Sequence, residues 1–392
     1  MFKIQTLNKI SSVGLSHFPR ENYEVASSIN DADAILVRSQ DMHSMEFPVT
    51  LKAVARAGAG TNNIPIESLT EKGIVVFNAP GANANAVKEL VILSLLISNR
   101  PILQATKWVN DLQKQDGDIA EMAEKGKSQF VGPELKGKTL GVIGLGAIGS
   151  LVANTAVDLG MTVIGYDPFM SVSAAWHLNT NVKHAETLDL LLSKSDYVTI
   201  HMPQTNDTKG FLNADKIAEM RNGVKIINLA RGGLVNNADM LAAIESGKVA
   251  MFIQDFPAKE FLGNPKVICF PHLGASTPEA EENCAVMAVE ELRAYLENGS
   301  ITNSVNFPKV LAEKPVSKGG TRLCIAHKNV PAMISNFTTI LGEANLNIAG
   351  IINQSRGDVA YNIIDVDGTI PSEIMKKIGA SKAVMRARAI FG

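Results

Sequence analysis

The chain lacks a cysteine framework. Its three cysteines, Cys269, Cys284 and Cys324, are scattered, and none belongs to a C-x-x-C pair. That excludes a disulfide-stapled scaffold and fits small buried side chains in a reducing compartment. An excess of one charge is lacking too. Lys and Arg number 37 against 39 Asp and Glu, a formal net charge of −2. Nothing electrostatic therefore calls for nucleic acid or an anionic membrane as a partner. Long hydrophobic runs are missing. The most apolar helix-like stretch, 86–98, contains Lys88 and Glu89 and is too short to span a bilayer. Met1-Phe2-Lys3-Ile4-Gln5-Thr6 has no apolar run behind a basic start, so no signal peptide is expected and the cytoplasm is the expected location. The seven histidines are dispersed and unaccompanied by paired cysteines, so no metal is expected.

What is present is an ordinary globular composition, 46% hydrophobic and 19% charged over 392 residues. That length suggests two or three domains. Short apolar runs alternate with amphipathic segments. Candidate strands lie at 34–37, 53–55, 74–77, 140–143, 162–166, 197–200, 225–229, 250–253 and 267–270. Continuously apolar strands separated by helices predict an α/β fold of doubly wound parallel sheets. Two such domains are expected, one over 1–95 and one over 96–278. A Pro-, Lys- and Gly-rich stretch at 307–320 reads as a linker. Beyond it, 321–392 follows a βαββαβ rhythm, a small α+β domain with a hairpin turn at Arg356-Gly357-Asp358.

Gly144-Leu145-Gly146-Ala147-Ile148-Gly149 follows the 140–143 strand and opens an apolar helix. In that context the first glycine permits a tight turn, the second lets backbone approach a pyrophosphate, and the third lets helix and strand pack closely. The helix N-terminus offers free N–H groups to the phosphates. Asp167 ends the next strand, where a carboxylate accepts from ribose hydroxyls and repels a 2′-phosphate, which favours NAD over NADP.

Three polar groups follow later strands. Arg231 can grip a carboxylate in a two-pronged contact. His272 can take the hydroxyl proton as hydride leaves. Glu260 can orient the imidazole and support its charged form. In the first domain, Arg38-Ser39 and Arg56-Ala57-Gly58 follow strands, and Asn78 ends a third. Two guanidiniums suit a phosphate dianion, and the N–H groups of Ala57 and Gly58 suit a carboxylate.

The glycine loop, Asn228-Leu229-Ala230-Arg231-Gly232-Gly233 and Pro271-His272-Leu273-Gly274-Ala275-Ser276-Thr277 resemble the D-isomer-specific 2-hydroxyacid dehydrogenases over essentially the whole chain. The likeness is strongest to members that oxidise 3-phosphoglycerate, which implies that substrate and arginine partners for its phosphate. It also implies NAD contacts from His201, Pro203, Leu229, Ala230, Asp255, Gly274 and Ala275, and completion of the first domain by 279–306. One departure concerns the catalytic glutamate. Counting from Asp255 puts Glu260 in its place, and counting from Phe256 puts Lys259 there. A cation would repel an imidazolium, which selects Glu260.

The 321–392 segment resembles an ACT domain. The resemblance implies an L-serine effector held by His327, Asn329 and Asn347 between paired domains, whose amide and imidazole groups suit a zwitterion. It also implies a homodimer or homotetramer. Two other readings remain open here: a hydroxypyruvate or glyoxylate reductase of the same family, and a non-catalytic NAD-sensing scaffold.

Overall fold

The computed structural model describes residues 1–312 and 316–392. The part of the expected linker at 313–315 lies outside them. The chain divides into two compact units, Met1–Asn83 with Pro278–Gly392, and Ala84–Thr277.

In the first unit, strands β1 (Phe2–Leu7), β2 (Tyr23–Ala26), β3 (Ala34–Val37), β4 (Ala53–Arg56) and β5 (Val75–Asn78) form a parallel sheet. Their order is β2-β1-β3-β4-β5. Successive side chains of a strand point to opposite faces. Ala34, Leu36, Ala53, Ala55, Val75 and Phe77 pack on the helix Pro278–Asn298. Ile35, Val37, Val54 and Val76 fill a second core with Met42 and Leu69. Both faces are covered, which is why these strands read as unbroken apolar runs. Residues 303–306 run antiparallel beside β5 and cover its free edge.

In the second unit, β6 (Thr139–Ile143), β7 (Thr162–Tyr166), β8 (Lys183–His184), β9 (Tyr197–Ile200), β10 (Val224–Asn228), β11 (Val249–Gln254) and β12 (Val267–Cys269) form one parallel sheet. Their order is β12-β11-β10-β9-β6-β7-β8. The chain reverses its direction of progress between β6 and β9, the switch point at whose strand ends such sheets bind ligands. The helix Ala84–Ile97 packs through Val87, Val91 and Leu95 with Val152, Ala153 and Ala156 of the helix Ala147–Asp158. The boundary therefore falls at Asn83/Ala84 rather than at 95/96, a correction of the division expected from sequence.

The C-terminal segment folds as expected. Strands β13 (Thr321–Lys328), β14 (Ile348–Arg356), β15 (Val359–Val366) and β16 (Val384–Phe391) form an antiparallel sheet ordered β14-β15-β13-β16. Helices Met333–Glu343 and Ser372–Gly379 cover one face through Leu323, Ile325 and Ile364. The other face is not free, and this the sequence reading did not anticipate. Cys324, Ala326, Tyr361 and Ile363 join the core of the N-terminal sheet. Half-buried Arg388 lies over the Tyr295 ring at 4.3 Å and donates to the carbonyls of Tyr295 and Leu296. Arg322 pairs with both oxygens of Asp365 and reaches the Asn298 carbonyl. Guanidiniums thus cap the last turn of helix Pro278–Asn298, where the helix dipole favours cations.

Candidate active site

The Ala84–Thr277 unit carries the glycine loop. Gly144 follows β6 with φ +87°, in the left-handed region that favours glycine. A Cβ there would meet the His201 carbonyl oxygen at 2.7 Å, and a Cβ on Gly149 would meet the Gly144 carbonyl oxygen at 1.9 Å. Both glycines are required by close backbone approach. Gly146 differs. A Cβ on it would meet nothing within 4 Å, and it caps helix Ala147–Asp158 without a side-chain hydrogen bond. An open backbone position at an uncapped helix N-terminus is what a pyrophosphate needs.

Asp167 stands beside this loop. Its Oδ2 accepts from Leu145 N at 2.8 Å and its Oδ1 from Phe169 N at 2.9 Å. Each oxygen keeps a lone pair for a ribose hydroxyl. His201 donates its N–H to Ile143 O, and its ring Nε2 meets Thr199 Oγ1 at 3.0 Å. Its Nδ1 is buried without a partner among the described residues. Burial pushes the ring's pKa down to about 4, so it is neutral at pH 7. The open Gly146 backbone, the anchored Asp167 and the orphaned Nδ1 together fit a dinucleotide.

The groups proposed for chemistry follow β10, β11 and β12. Asn228 shapes the turn to Arg231: its Oδ1 accepts from Ala230 N and its Nδ2 donates to Arg231 O. Arg231 is exposed, with one guanidinium nitrogen on the Ala230 carbonyl at 2.7 Å. His272 sits at φ +58°, its N–H on the Asp255 carbonyl and its ring 5.0 Å from that of Phe256. A left-handed non-glycine residue is held there by its surroundings. Asp255 supplies them. It is buried, and its two carboxylate oxygens accept from the N–H groups of Leu273 and Gly274, each at 2.7 Å. Asp255 therefore braces the His272 loop, a task the sequence reading did not give it.

Glu260 lies in a short turn, Lys259–Phe261, and is exposed. Its carboxylate accepts from Asn237 Nδ2 at 2.7 Å. Its own backbone N–H and then Asn237 hold its pKa below the usual carboxylate value. Among the described residues neither Glu260 nor Lys259 hydrogen-bonds to His272, so the expected acid–imidazole pair is not formed in this structure. Pro203, Leu229 and Ala275 lie on the same strand-end loops as His201, Arg231 and His272.

The first unit holds the other proposed residues. Arg38 is half-buried and pairs with Glu281 Oε1 at 2.5 Å. Ser39 N–H is fixed by Asn8 Oδ1 at 3.1 Å. Arg56 donates Nε to Arg38 O and a terminal nitrogen to Gly60 O. It braces two loops. The N–H groups of Ala57 and Gly58 are also engaged, on Val37 O and Arg56 O, each at 2.8 Å. The sheet hydrogen bonding of β3 continues one residue past β4 to take the Ala57 donor, and a local turn takes that of Gly58. Asn78 Nδ2 donates to Ala59 O at 2.6 Å and holds the same loop. Glu281 and Asn8 escaped the sequence reading because nothing local marks them. Each acts across more than thirty positions of chain.

In the C-terminal sheet, His327 is a core residue. Its Nδ1 meets Lys328 O and its Nε2 meets Asn362 Nδ2, each at 2.7 Å, and Phe337 packs edge-on against its ring. Asn329 lies on the loop after β13 and donates to Gly357 O. Asn347, bonded to Asp367, precedes β14 at the opposite end of the sheet. One copy of the chain does not bring Asn329 and Asn347 together. Among the described residues no cluster of metal-ligating side chains gathers, and no helix is long and apolar enough to cross a membrane.

Comparison with known proteins adds four findings. The model of the family described as D-isomer specific 2-hydroxyacid dehydrogenase, NAD binding domain, matches residues 94–274. D-3-phosphoglycerate dehydrogenase of Haemophilus influenzae is 31% identical over 404 aligned positions, covering 99% of this chain and 94% of that protein. The enzyme of the same name from Bacillus subtilis is 34% identical over 80% of this chain, which spans only 61% of its length. Among solved structures, the NAD+-bound 3-phosphoglycerate dehydrogenase of Entamoeba histolytica aligns with a TM-score of 0.60 at 25% identity, over 78% of this chain and 98% of that one.

Proposed function

The chain belongs to the D-isomer-specific 2-hydroxyacid dehydrogenases, and from that membership we propose that it oxidises D-3-phosphoglycerate to 3-phosphohydroxypyruvate with NAD, at the first step of L-serine synthesis. The observation that carries this reading is the open, uncapped glycine loop with Asp167 beside it, in a chain alike from end to end to an enzyme of that name.

NAD, bound on the glycine loop, supplies the hydride acceptor. The chain's residues do the rest. Arg231 binds the substrate carboxylate and draws electron density from the adjacent C–O bond. A ring nitrogen of His272 accepts the hydroxyl proton as the C2–H bond breaks. Glu260 is the one carboxylate between Phe256 and Pro271, and it is assigned to steady the imidazolium so formed. Arg38 binds the phosphate, exchanging its contact with Glu281, while Arg56 and Asn78 hold the loops that present it.

The same reading includes assembly and regulation. Exposed Leu103, Val109, Ile119 and Val131 supply an apolar surface for a second copy, in a homodimer or homotetramer. Serine inhibition would combine Asn329 of one copy with Asn347 of another, since the sheet separates them within one chain. His327, being buried, would act by shaping the Asn329 loop. The three free cysteines fit a cytoplasmic setting.

The test is substrate comparison. kcat/KM for D-3-phosphoglycerate should exceed that for D-glycerate by roughly 10- to 100-fold, the worth of one charge-assisted contact to phosphate. Arg38→Ala should remove most of that preference. Equal values for the two acids would favour a hydroxypyruvate or glyoxylate reductase.

A further inference from the structure

Glu291 lies in the middle of helix Pro278–Asn298, on the side buried against the N-terminal sheet and the 303–306 segment, and is only 4% exposed. Among the described residues no cation pairs with it. Its Oε1 accepts from Asn303 Nδ2 at 2.6 Å, and its Oε2 is buried with no partner among the described residues. A carboxylate in such a place is stable only as the neutral acid.

Asn303 connects this acid to the candidate substrate loop. Its carbonyl accepts from Asn78 N at 3.4 Å, and the Asn78 side chain holds Ala59 O. Beyond it, Ser304 Oγ donates to Val76 O, and Asn306 bonds to Val76 N and Ile74 O. The segment is thus an added strand along β5, pinned to the helix at Asn303 by Glu291.

The charged and titratable groups around the helix leave Glu291 alone. Arg56 on β4 acts on Cys284, about two turns nearer the helix N-terminus. Arg322 and Arg388 engage its last turn at Tyr295–Asn298. His17 and Tyr23 meet Glu290 and Glu297 on other faces. Helix Ser12–Leu15, β3 and β5 carry no charged side chain.

We propose that Glu291 is a positioning residue for the reaction: as a neutral acid it holds the 303–306 segment, and through Asn303 and Asn78 the loop at 57–60, in the geometry that binds substrate. The role rests on the functional reading above. Burial pushes the Glu291 carboxyl up to about 8, with the Asn303 amide pulling weakly the other way. Ionisation would leave an anion with one unpartnered oxygen. Water must then enter, the helix and segment part, and the long Asn78–Asn303 bond is lost.

The folded value lies above the carboxylate's ordinary 4.5. Between that pH and about 8 the folded chain keeps a proton that the unfolded chain has released, so stability falls as pH rises through this window and stays low above it.

The experiment compares wild type with Glu291→Gln, which keeps the Asn303 contact and never ionises. KM and kcat are measured for 3-phosphoglycerate and other 2-hydroxy acids from about pH 7 to about pH 9.5, alongside melting temperature from about pH 5 upward. In wild type, KM should rise roughly tenfold across pH 8, the effect of about one pKa unit of coupling, with kcat changing far less. In Glu291→Gln that rise should vanish, and the variant's advantage in melting temperature should grow up to pH 8 and then level off. Superposable KM profiles, or a melting difference independent of pH, would overturn the inference while leaving the function intact. A chain that turns over no 2-hydroxy acid would overturn the functional reading, and this role with it.

Discussion

Replacing His272 by asparagine should lower kcat roughly a hundred- to ten-thousand-fold, the usual contribution of a positioned general base. Asparagine is the informative replacement. It tolerates the left-handed backbone found at φ +58°, so the loop that Asp255 ties down at Leu273 and Gly274 keeps its shape. NAD affinity should stay within about twofold of wild type, because the glycine loop is untouched. Rates are best read as single-turnover hydride transfer, which product release does not mask. A loss smaller than about tenfold would remove His272 from the chemistry.

The second large effect is structural and separates two glycines of one loop. A Cβ on Gly149 would stand 1.9 Å from the Gly144 carbonyl oxygen, a backbone atom with no rotamer to escape into. The start of helix Ala147–Asp158 must then move away from β6. Gly149→Ala should cost at least ~2 kcal/mol, a fall in melting temperature of about 4–8 °C for a unit of this size, and should weaken NAD binding more than about tenfold. Gly146→Ala should behave differently. Its φ of −69° suits alanine, and its Cβ would meet nothing within 4 Å. Melting without cofactor should be unchanged, yet NAD affinity should still fall, because the added methyl occupies the approach left open for phosphate. Equal melting losses for the two variants, read by differential scanning calorimetry, would contradict this division.

The contrast shows what the sequence could yield. The G-x-G-x-x-G spacing already separates three roles, and the coordinates add the backbone atoms behind two of them, the His201 carbonyl facing Gly144 and the Gly144 carbonyl facing Gly149. The strands of both parallel sheets were legible wherever both faces are buried, as in β3, β9 and β10. The missed ones lack that signature. In β1 polar Lys3, Gln5 and Thr6 interrupt the apolar residues; β2 is a short edge strand, and β8 has two exposed residues.

The domain boundary was misplaced because helix Ala84–Ile97 is apolar on most sides, and nothing local says which core it joins. The contact of the C-terminal sheet with helix Pro278–Asn298 was missed for the opposite reason. Alternating Arg386 and Arg388 on β16 look like a solvated face, yet Arg388 is spent on the helix end. At the site, residue types pointed to Arg231, Glu260 and His272, and the structure sets Arg231 and His272 on strand-end loops shaped by Asn228 and Asp255. Hydrogen-bond commitments were not legible. The donors of Ala57 and Gly58 are consumed by backbone, and Arg56 is a brace. Such pairings depend on contacts between distant segments, which no local pattern encodes.

The central claim is hydride transfer from C2 of a phosphorylated 2-hydroxy acid to NAD. It is tested most directly by supplying D-3-phosphoglycerate deuterated at C2 together with NAD, and weighing the reduced nicotinamide by mass spectrometry. The account predicts reduced cofactor carrying the deuterium, formed in equal amount with 3-phosphohydroxypyruvate. Deuterium released to water, or no reduced cofactor from this acid while an unphosphorylated one reacts, would contradict it.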